Sequence, residues 1–157
     1  MKLLEIRIEI KEDEYPDLSF LGEFGSRWQK YAIDRKLKGT WNRGEYEYFY
    51  PANQPEPEMT SREKHIAWDE CEQDFWRMEK YSRGDWTMLL IRAVAIVKIN
   101  DVIQKITSGG IGGVESDSGD DYINYMKQSE LSELKSILKE IGFTTEEIEE
   151  INVEGIE

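Results

Sequence analysis

The chain has 157 residues and carries 33 acidic against 20 basic side chains, a formal net charge of −13. Because this charge repels phosphate backbones and anionic lipid headgroups, it disfavours an ordinary nucleic-acid-binding protein and a membrane-surface protein. One histidine and one cysteine exclude a Cys/His zinc cluster and an intramolecular disulfide framework. Since 39% of the residues are hydrophobic and 11% aromatic, we expect a folded single domain, residues 1–157, with no metal and no cofactor.

The chain begins with a hydropathy period of two, in which Leu4, Ile6, Ile8 and Ile10 alternate with charged residues. This period predicts a strand with one buried face. The charges also exclude a signal peptide and a membrane span there, so we expect a cytoplasmic protein. Prolines and glycines then interrupt every period over about residues 11–43, which predicts a long irregular loop.

A second strand and a long helix are predicted next. Tyrosines alternate over residues 46–50, before Pro51 ends the predicted strand. Thr60, with Glu63 three residues later, predicts the start of a helix of about 20 residues that ends near Gly84. Its expected buried stripe is Ile66, Cys71, Phe75 and Met78, and its expected solvent-facing acids are Glu63, Glu70, Glu72 and Glu79.

Residues 86–100 are apolar on both alternating sets, which is typical of a central strand covered on both faces. Asn100 and Asp101 interrupt the apolar run before residues 102–107, and this break predicts a tight hairpin. The glycine-rich residues 108–113 follow, and we expect them to end the sheet.

Two helices are predicted after the glycines. Ser118 or Asp120 caps the first, which ends at Ile141, and a short helix follows over residues 144–151. The expected apolar stripe of the longer helix is Tyr122, Met126, Leu134, Leu138 and Ile141. Because no βαβ unit repeats, we predict an α+β fold, with an antiparallel sheet of about four strands packed with two to three helices.

Negative charge is concentrated at the C-terminal end of the chain. From Glu115 to Glu157 there are 13 acidic residues and three lysines, so −10 of the net charge of −13 lies there. We expect an acidic C-terminal helical segment, about residues 118–157, that imitates a phosphate backbone and occupies a cationic channel on another protein. The candidate partner-binding residues, which we call the acidic face, are Glu140, Glu146, Glu147, Glu149 and Glu150.

Positive charge is concentrated in residues 27–43, where six basic residues and several aromatic residues are accompanied by one acid, Asp34. We call this segment the basic aromatic loop. It is an alternative contact surface, for an acidic protein or a single-stranded nucleic acid that stacks on the aromatic rings. Its candidate residues are Arg27, Trp28, Lys30, Arg35 and Trp41. A third interpretation is that this loop packs on the chain's own acidic helices.

The glycines of residues 109–113 do not form a nucleotide-binding motif. They lack the Gly-Lys-Ser/Thr end of a P-loop, and the acids that follow them repel phosphate. Those acids are Glu115, Asp117, Asp120 and Asp121. Carboxylates of this kind bind Ca²⁺ or Mg²⁺, but capping and the helix dipole already explain acids at the start of a helix, and we favour that interpretation over a metal site.

The two ordinary nucleophile and base candidates are His65 and Cys71. Six positions apart on one helix, they are separated by about 240° around its axis and cannot form a dyad. We therefore predict no enzyme and no catalytic residue. If the protein is an enzyme after all, Glu115 and Asp117 beside the glycine turn are the least unfavourable site.

Residues 106–118 read ITSGGIGGVESDS, and together with residues 43–53, 77–79 and 83–86 they resemble a family of small proteins from phages, plasmids and bacterial chromosomes. The resemblance covers about residues 21–143. The family pattern has a tryptophan where this chain has Gly112, so no role of that tryptophan carries over. The resemblance implies no assigned activity, cofactor or catalytic residue, and it implies a mobile-element setting.

Charge and setting together predict a stoichiometric inhibitor of a host defence protein, of the anti-CRISPR or anti-restriction type. Its expected partner is a nucleic-acid-handling host protein, such as a nuclease or an effector complex, and neither nucleic acid itself nor a membrane. The alternative is a regulatory binding module that uses the basic aromatic loop.

Overall fold

A computed structural model describes residues 1–156. The chain has the predicted mixed α+β fold, with helices packed against a sheet. The described strands are, in chain order, β1 (Lys2–Glu12), β2 (Gly22–Gly25), β3 (Ile33–Asp34), β4 (Tyr48–Pro51), β5 (Met88–Ile99), β6 (Val102–Thr107), β7 (Ile111–Glu115) and β8 (Val153–Glu154). The described helices are α1 (Arg35–Lys38), α2 (Ser61–Ser82), α3 (Asp120–Glu140) and α4 (Thr145–Glu149).

Two compact units are formed. The first, which we call the discontinuous unit, joins Met1–Pro16 to Thr87–Glu157. The second, the inserted unit, is Asp17–Trp86. The inserted unit therefore separates β1 from β5 in sequence, although these two strands pair.

The discontinuous unit contains a five-stranded sheet in which β5 is central, as predicted. β5 pairs with β1 on one side and with β6 and β7 on the other, all antiparallel. β8 pairs in parallel with β1, through Ile6↔Val153 and Arg7↔Glu154. The sheet thus has one strand more than the four expected and one parallel edge, because a two-residue strand such as β8 is too short to show a hydropathy period.

One face of this sheet packs against α3 and α4. The shared core consists of Leu3, Ile6, Ala93, Ala95, Val97, Leu131, Leu134, Leu138, Phe143 and Ile148. The small side chains of Ala93 and Ala95 leave room for the leucines of α3. This packing removes the apolar surface of four elements, β1, β5, α3 and α4, from water, which is the main favourable contribution to folding.

The start and the buried stripe of α3 differ from the prediction. Gly119 is the N-cap, and no side chain caps the helix. Met126, Leu134 and Leu138 are buried as expected, whereas Tyr122 and Ile141 are exposed and Leu131 and Glu130 are buried instead. Buried Glu130 accepts a hydrogen bond from Ser108 Oγ at 2.9 Å, and Ser108 Oγ accepts one from the Ala93 amide. This local network explains how a carboxylate takes a core position.

From β5 the chain passes through a hairpin turn, β6 and the glycine segment into β7. Asn100 and Asp101 form the predicted turn between β5 and β6, with φ of 49° and 66°. The glycines do not end the sheet, which corrects our expectation. Gly110 takes φ of +84°, and the chain then returns to β5 as β7, with Ile111 paired to Ile91. A left-handed residue at this point redirects the backbone into a further strand.

The inserted unit contains a three-stranded antiparallel sheet in the order β2-β4-β3. Phe49 of β4 lies opposite Phe24 and Ile33, so the predicted tyrosine strand forms the centre of this sheet, from Tyr48 rather than from residue 46. The segment 11–43 is not wholly irregular, because it contains the last residues of β1 and the whole of β2, β3 and α1. Elements of two to four residues are too short for a sequence period to reveal.

Helix α2 begins and ends close to the predicted positions. Thr60 Oγ1 accepts a hydrogen bond from the Glu63 amide at 3.2 Å, and the helix ends at Ser82. Three of the four predicted stripe residues are buried, but Ala67 replaces Ile66, which is exposed. Glu79, the last acidic residue of the helix, is buried as well.

Candidate functional site

The acidic face lies at the end of α3 and along α4. All five of its glutamates are exposed. Helix α4 spans Thr145–Glu149, slightly shorter than the predicted 144–151. Buried Phe143 and Ile148 attach this segment to the core of the discontinuous unit. The carboxylates are therefore carried by an anchored backbone and not by a free tail.

Two of the five acidic-face glutamates also have structural roles. The Glu147 amide donates to Thr144 Oγ1 and the Thr144 amide donates to Glu147 Oε2, each at 3.1 Å, which forms a capping box. Lys135 Nζ lies 3.1 Å from Glu149 Oε1. The other three, Glu140, Glu146 and Glu150, are exposed without such a role among the bonds described. These three residues are therefore the ones to test for binding.

The charge sequence of α4 is unfavourable for the helix itself. Glu146 and Glu147 in its first turn stabilise the positive end of the helix dipole, but Glu149 and Glu150 lie at its negative end, where α4 itself carries no basic residue and only Glu149 has a cation, Lys135 of α3, beside it. Helix stability thus explains the first pair of acids and does not explain the second. An acid that weakens its own helix is a candidate for a role in binding.

A groove of about 240 Å³ lies beside the acidic face. Glu147 and Glu150 line it together with apolar Leu3, Phe143 and Ile151. The acidic face therefore offers a contacting protein both negative charge and an apolar surface.

The basic aromatic loop does not present its five candidate residues together. Arg27, Trp28 and Lys30 are exposed in the connection between β2 and β3, and Trp28 is 68% exposed. The Arg27 amide donates to Tyr50 Oη at 3.1 Å, and Tyr50 Oη donates to the Arg27 carbonyl. The backbone is thus attached to β4 while the three side chains project into solvent.

Trp41 is half-buried and already has two partners in its own unit. Its Nε1 donates to the Glu45 carbonyl at 3.0 Å, and Lys36 Nζ lies 4.7 Å from the centre of its ring. The ring stabilises the loop before β4, so less of it is available to an incoming base or side chain than the sequence suggests.

Arg35 is not a surface contact residue, which corrects the prediction. It is 3% exposed, and it binds Glu79 of α2, which is 2% exposed. Arg35 Nε donates to Glu79 Oε1 at 2.7 Å and Nη2 donates to Oε2 at 3.2 Å, so the pair is bidentate. Glu79 was expected to face water. The two residues are 44 positions apart, and no local period indicates such a pair.

Local structure positions this ion pair. Asp34 is the N-cap of α1, and its Oδ1 accepts from the Lys36 amide, which places Arg35 at the first helical position. Arg35 Nη1 donates to the Tyr46 carbonyl at 2.9 Å, and the guanidinium lies 4.5 Å from the ring centre of Phe24. Every nitrogen of the guanidinium therefore has a partner in the protein. The pair holds α1, α2 and the chain before β4 together.

Two concavities of about 550 and 300 Å³ adjoin this ion pair. Arg35 and Glu45 line both of them. Because Arg35 is buried and each of its three guanidinium nitrogens already donates to Glu79 or to the Tyr46 carbonyl, it is not set up to bind an anionic ligand. We therefore assign the pair to the architecture of the inserted unit.

Cys71 is not set up as a nucleophile. It is buried, and its Sγ donates to the Asn53 carbonyl at 3.2 Å. Burial, and then the negative charges of Asp74 and Glu70, raise the pKa of the thiol to about 11, so it is protonated near neutral pH. His65 is exposed, with Nε2 3.6 Å from Asp69 Oδ2, and it does not contact the thiol.

The acids after the glycine segment lie at two different elements. Glu115 ends β7, while Asp120 and Asp121 begin α3. Ser116 lies in the intervening turn, where its amide donates to the Thr87 carbonyl and its Oγ accepts from the Thr87 amide, each at 2.8 Å. Within residues 1–156, no group of three or more His, Cys, Asp or Glu side chains is arranged to hold a metal ion.

A charged cluster on the five-stranded sheet was missed at the sequence level. Glu9 of β1 accepts from Arg92 Nη2 of β5 at 2.7 Å and from Arg7 Nη2 at 3.0 Å, and Lys105 Nζ lies 3.5 Å away. Burial acts to raise the pKa of Glu9, but these hydrogen bonds and charges prevail and lower it to about 2. The signal that reveals the cluster is Arg92, the charged residue inside the otherwise apolar run 88–97 of β5.

Comparison of the chain with family models, with curated proteins and with solved structures returns no match. None of the helices described for residues 1–156 has the length and apolar character that crossing a bilayer requires.

Proposed function

We propose that this protein is a mobile-element-encoded, non-enzymatic inhibitor that binds a nucleic-acid-handling host defence protein through the acidic face. The observation that carries the proposal is the exposure of Glu140, Glu146 and Glu150 on an anchored segment within residues 115–157, which hold −10 of the net charge of −13. The resemblance of residues 106–118 to proteins of phages and plasmids supports the mobile-element origin.

The physical basis of the proposed binding is complementary charge. A protein that handles nucleic acid has a cationic channel, and a fixed array of carboxylates competes there with phosphates. Complementary potentials speed the encounter and set the orientation of the complex. Glu150, which is unfavourable at the C-terminal end of α4 in the free chain, is then stabilised by the partner's cations.

The experiment is affinity capture from lysate of a bacterial host, with nuclease treatment and two salt concentrations. The wild-type chain is expected to retain a nuclease or an effector protein after nuclease treatment, less so in high salt. The triple variant E140K/E146K/E150K is expected to lose that protein. Thr144, Glu147 and Glu149 stay unchanged, so the capping box and the ion pair with Lys135 are preserved.

A matched control is the variant E14K/E56K/E58K. These three glutamates are exposed, lie outside the acidic face and change the net charge by the same amount. Capture is expected to survive in the control. Equal loss in both triple variants, or unchanged capture in both, contradicts recognition through the acidic face.

The second candidate function is a regulatory binding module that uses the basic aromatic loop. The 68% exposure of Trp28 favours it, because a large aromatic side chain in solvent is a common anchor of binding surfaces. In that case W28A and R27E/K30E abolish capture and the acidic-face triple variant does not. Arg35 and Trp41 are left out of this test because both are engaged within their own unit.

A further inference from the structure

Strand β6 is an open edge of the five-stranded sheet. It pairs with β5 on one side, and within the described chain no strand pairs with its other side. Its first four residues are exposed, and they include Val102 at 53% and Ile103 at 57%. An exposed edge with apolar side chains and unpaired backbone groups is a template for pairing with another strand.

Alternation along β6 identifies the backbone groups that point away from β5. The Ser108 amide, directly after the strand, donates to the Ala93 carbonyl at 2.9 Å. The even-numbered residues of β6 therefore form the hydrogen-bonded pairs with β5. Ile103, Lys105 and Thr107 direct their N–H and C=O groups outward, and these are the groups that an added strand would bond.

A carboxylate of α3 lies on this outward side. The next outward amide after Thr107 is that of Gly109, and it donates to Glu133 Oε1 at 3.3 Å. Buried Glu130, one turn earlier in α3, accepts from Ser108 Oγ at 2.9 Å. Helix α3 therefore passes beside the end of β6, and Glu133 lies on the side of β6 that an added strand would occupy.

An apolar groove of about 560 Å³ runs beside the same edge. Because Ile106 packs against the core under α3, alternation places Val102 and Gln104 on the groove face as well. An added strand would therefore carry every second side chain over this groove. The apolar residues that line it are Met1, Ile99, Val102, Ile106 and Ile141.

The flank of α3 beside β6 is acidic. Glu140 lies seven positions after Glu133, about 20° from it around the helix axis, so these two exposed side chains share one flank. Each of the three lysines of α3 lies at least about 120° from Glu133 around the axis. Lys105 of β6 projects to the opposite face of the sheet, where its Nζ lies 3.5 Å from Glu9 Oε2. The charge that an added strand meets on the groove face is therefore negative.

We propose that β6 pairs, antiparallel, with an extended segment of a partner protein that carries lysine or arginine on its α3-facing side. The methylene stems of these side chains cover the apolar groove, while their charged ends reach Glu133 and Glu140. The alternate residues of the segment are apolar and lie over Ile103 on the other face. The antiparallel direction matches the existing pairing with β5 and is the slightly more stable ladder.

A basic segment fits this edge better than a second copy of the chain. Two copies would bring the carboxylates of Glu133 and Glu140 towards each other, and like charges repel. The inference rests on the proposed function for its occupant, since a protein that handles nucleic acid exposes basic segments to phosphates. It adds a backbone contact to the charge contact of the acidic face.

The test uses a fluorescently labelled synthetic peptide, acetyl-KVKVKVK-amide, titrated with the purified full chain and followed by anisotropy. In the antiparallel pairing, its valine amides point to β6 and its lysine amides point away. Methylating the valine nitrogens is expected to weaken binding at least about tenfold. Methylating the lysine nitrogens instead, the matched control, is expected to change binding by less than about twofold.

Amide exchange locates the contact on the protein. The peptide is expected to slow exchange at Ile103, Lys105 and Thr107, whose N–H groups point away from β5. Exchange at Gln104, which already bonds to β5, is expected to stay unchanged. Because the protein is wild type in this measurement, the result does not depend on how a variant folds.

Two double variants test the charges. E133Q/E140Q keeps an acceptor for the Gly109 amide and is expected to weaken peptide binding at least about threefold. E146Q/E150Q removes the same charge from α4 and its C-cap and is expected to have a smaller effect. Equal effects of the two double variants, or equal effects of the two methylated peptides, overturn the proposal.

Absence of slowed exchange at the three outward amides overturns it as well. If the acidic face captures a host protein but the peptide does not bind at β6, only the strand pairing is wrong. If the peptide binds at β6 as expected but no host protein is captured, the pairing is supported and the proposed function is wrong.

Discussion

Arg35 and Glu79 are each unavailable to any binding partner, because each is bound to the other inside the inserted unit. Such a pair contributes little net stability compared with apolar residues of the same shape, but removing one member leaves a buried charge without its partner. Thr40 Oγ1 also donates to Glu79 Oε1 at 3.1 Å, so the carboxylate links the loop after α1 as well.

Glu79→Ala is therefore expected to lower the free energy of unfolding by about 3–5 kcal/mol. The double variant R35M/E79L is expected to cost clearly less, since no uncompensated charge remains in the core. Urea denaturation of the wild-type, single and double variants measures both values. A single substitution with an effect below that of the double variant would contradict the buried-charge argument.

Glu9 predicts a specific acid sensitivity. Its pKa is about 2 in the folded chain and 4.5 in the reference state, so the unfolded chain binds this proton more readily between those values. The free energy of unfolding is then expected to fall as the pH drops from about 4.5 towards about 2, and to be unaffected by this group above that window.

Glu9→Gln is expected to flatten this part of the profile, whereas Glu14→Gln, an exposed control, leaves it steep. Urea denaturation at several pH values across the window measures the slope. An unchanged slope in the Glu9 variant would show that other carboxylates dominate the acid response.

At the scale of elements, the long periodic segments are predictable and the short ones are not. β1 and α2 show hydropathy periods over 11 and 22 residues, β5 is a largely apolar run of 12 residues, and the positions of all three follow from the sequence. β2, β3 and β8 have four residues or fewer. β7 was missed for a different reason, because its glycines were interpreted as a stop while Gly110 and Gly113 supply the positive φ that returns the chain to β5.

Some features of the candidate site could be predicted from the sequence and others could not. The acidic face could be predicted by counting the charges along the sequence, because exposed acidic residues need no partner. The burial of Arg35 and Glu79 does not follow, since pairs far apart in sequence depend on tertiary contacts. β6 was predicted as a hairpin strand, but its open side emerged only from the sheet order.

Strand β8 is expected to contribute more to stability than its two residues suggest. Val153 and Ile156 pack against the core of the discontinuous unit, and β8 covers the side of β1 opposite β5. A chain that ends at Ile151 is expected to lose about 2 kcal/mol of stability and to show faster amide exchange in β1. Glu154→Gln, which retains the strand, is the control. Unchanged exchange in β1 would contradict this role for β8.

At the scale of the whole molecule, the net charge of −13 opposes the compact state through self-repulsion. If the acidic face serves binding, the free chain is expected to gain stability when that face is reversed. E140K/E150K, which leaves Glu146 in the first turn of α4, should therefore have a higher urea midpoint than wild type in low salt, and the difference should shrink as salt is added. A lower midpoint in low salt would indicate that these acids stabilise the fold instead.

The pairing of β1 with β5 has a consequence for synthesis of the chain. The Asp13 amide donates to the Met88 carbonyl at 2.8 Å, so the two strands behave as a hairpin whose connection is the whole inserted unit. On the ribosome, β1 emerges first and waits until that unit has been translated, several seconds at about 5–20 residues per second. The inserted unit can acquire its own core during this delay. Nascent β1 therefore spends this interval as an unpaired strand with one apolar face, which is the stage at which we expect the chain to be most dependent on chaperones.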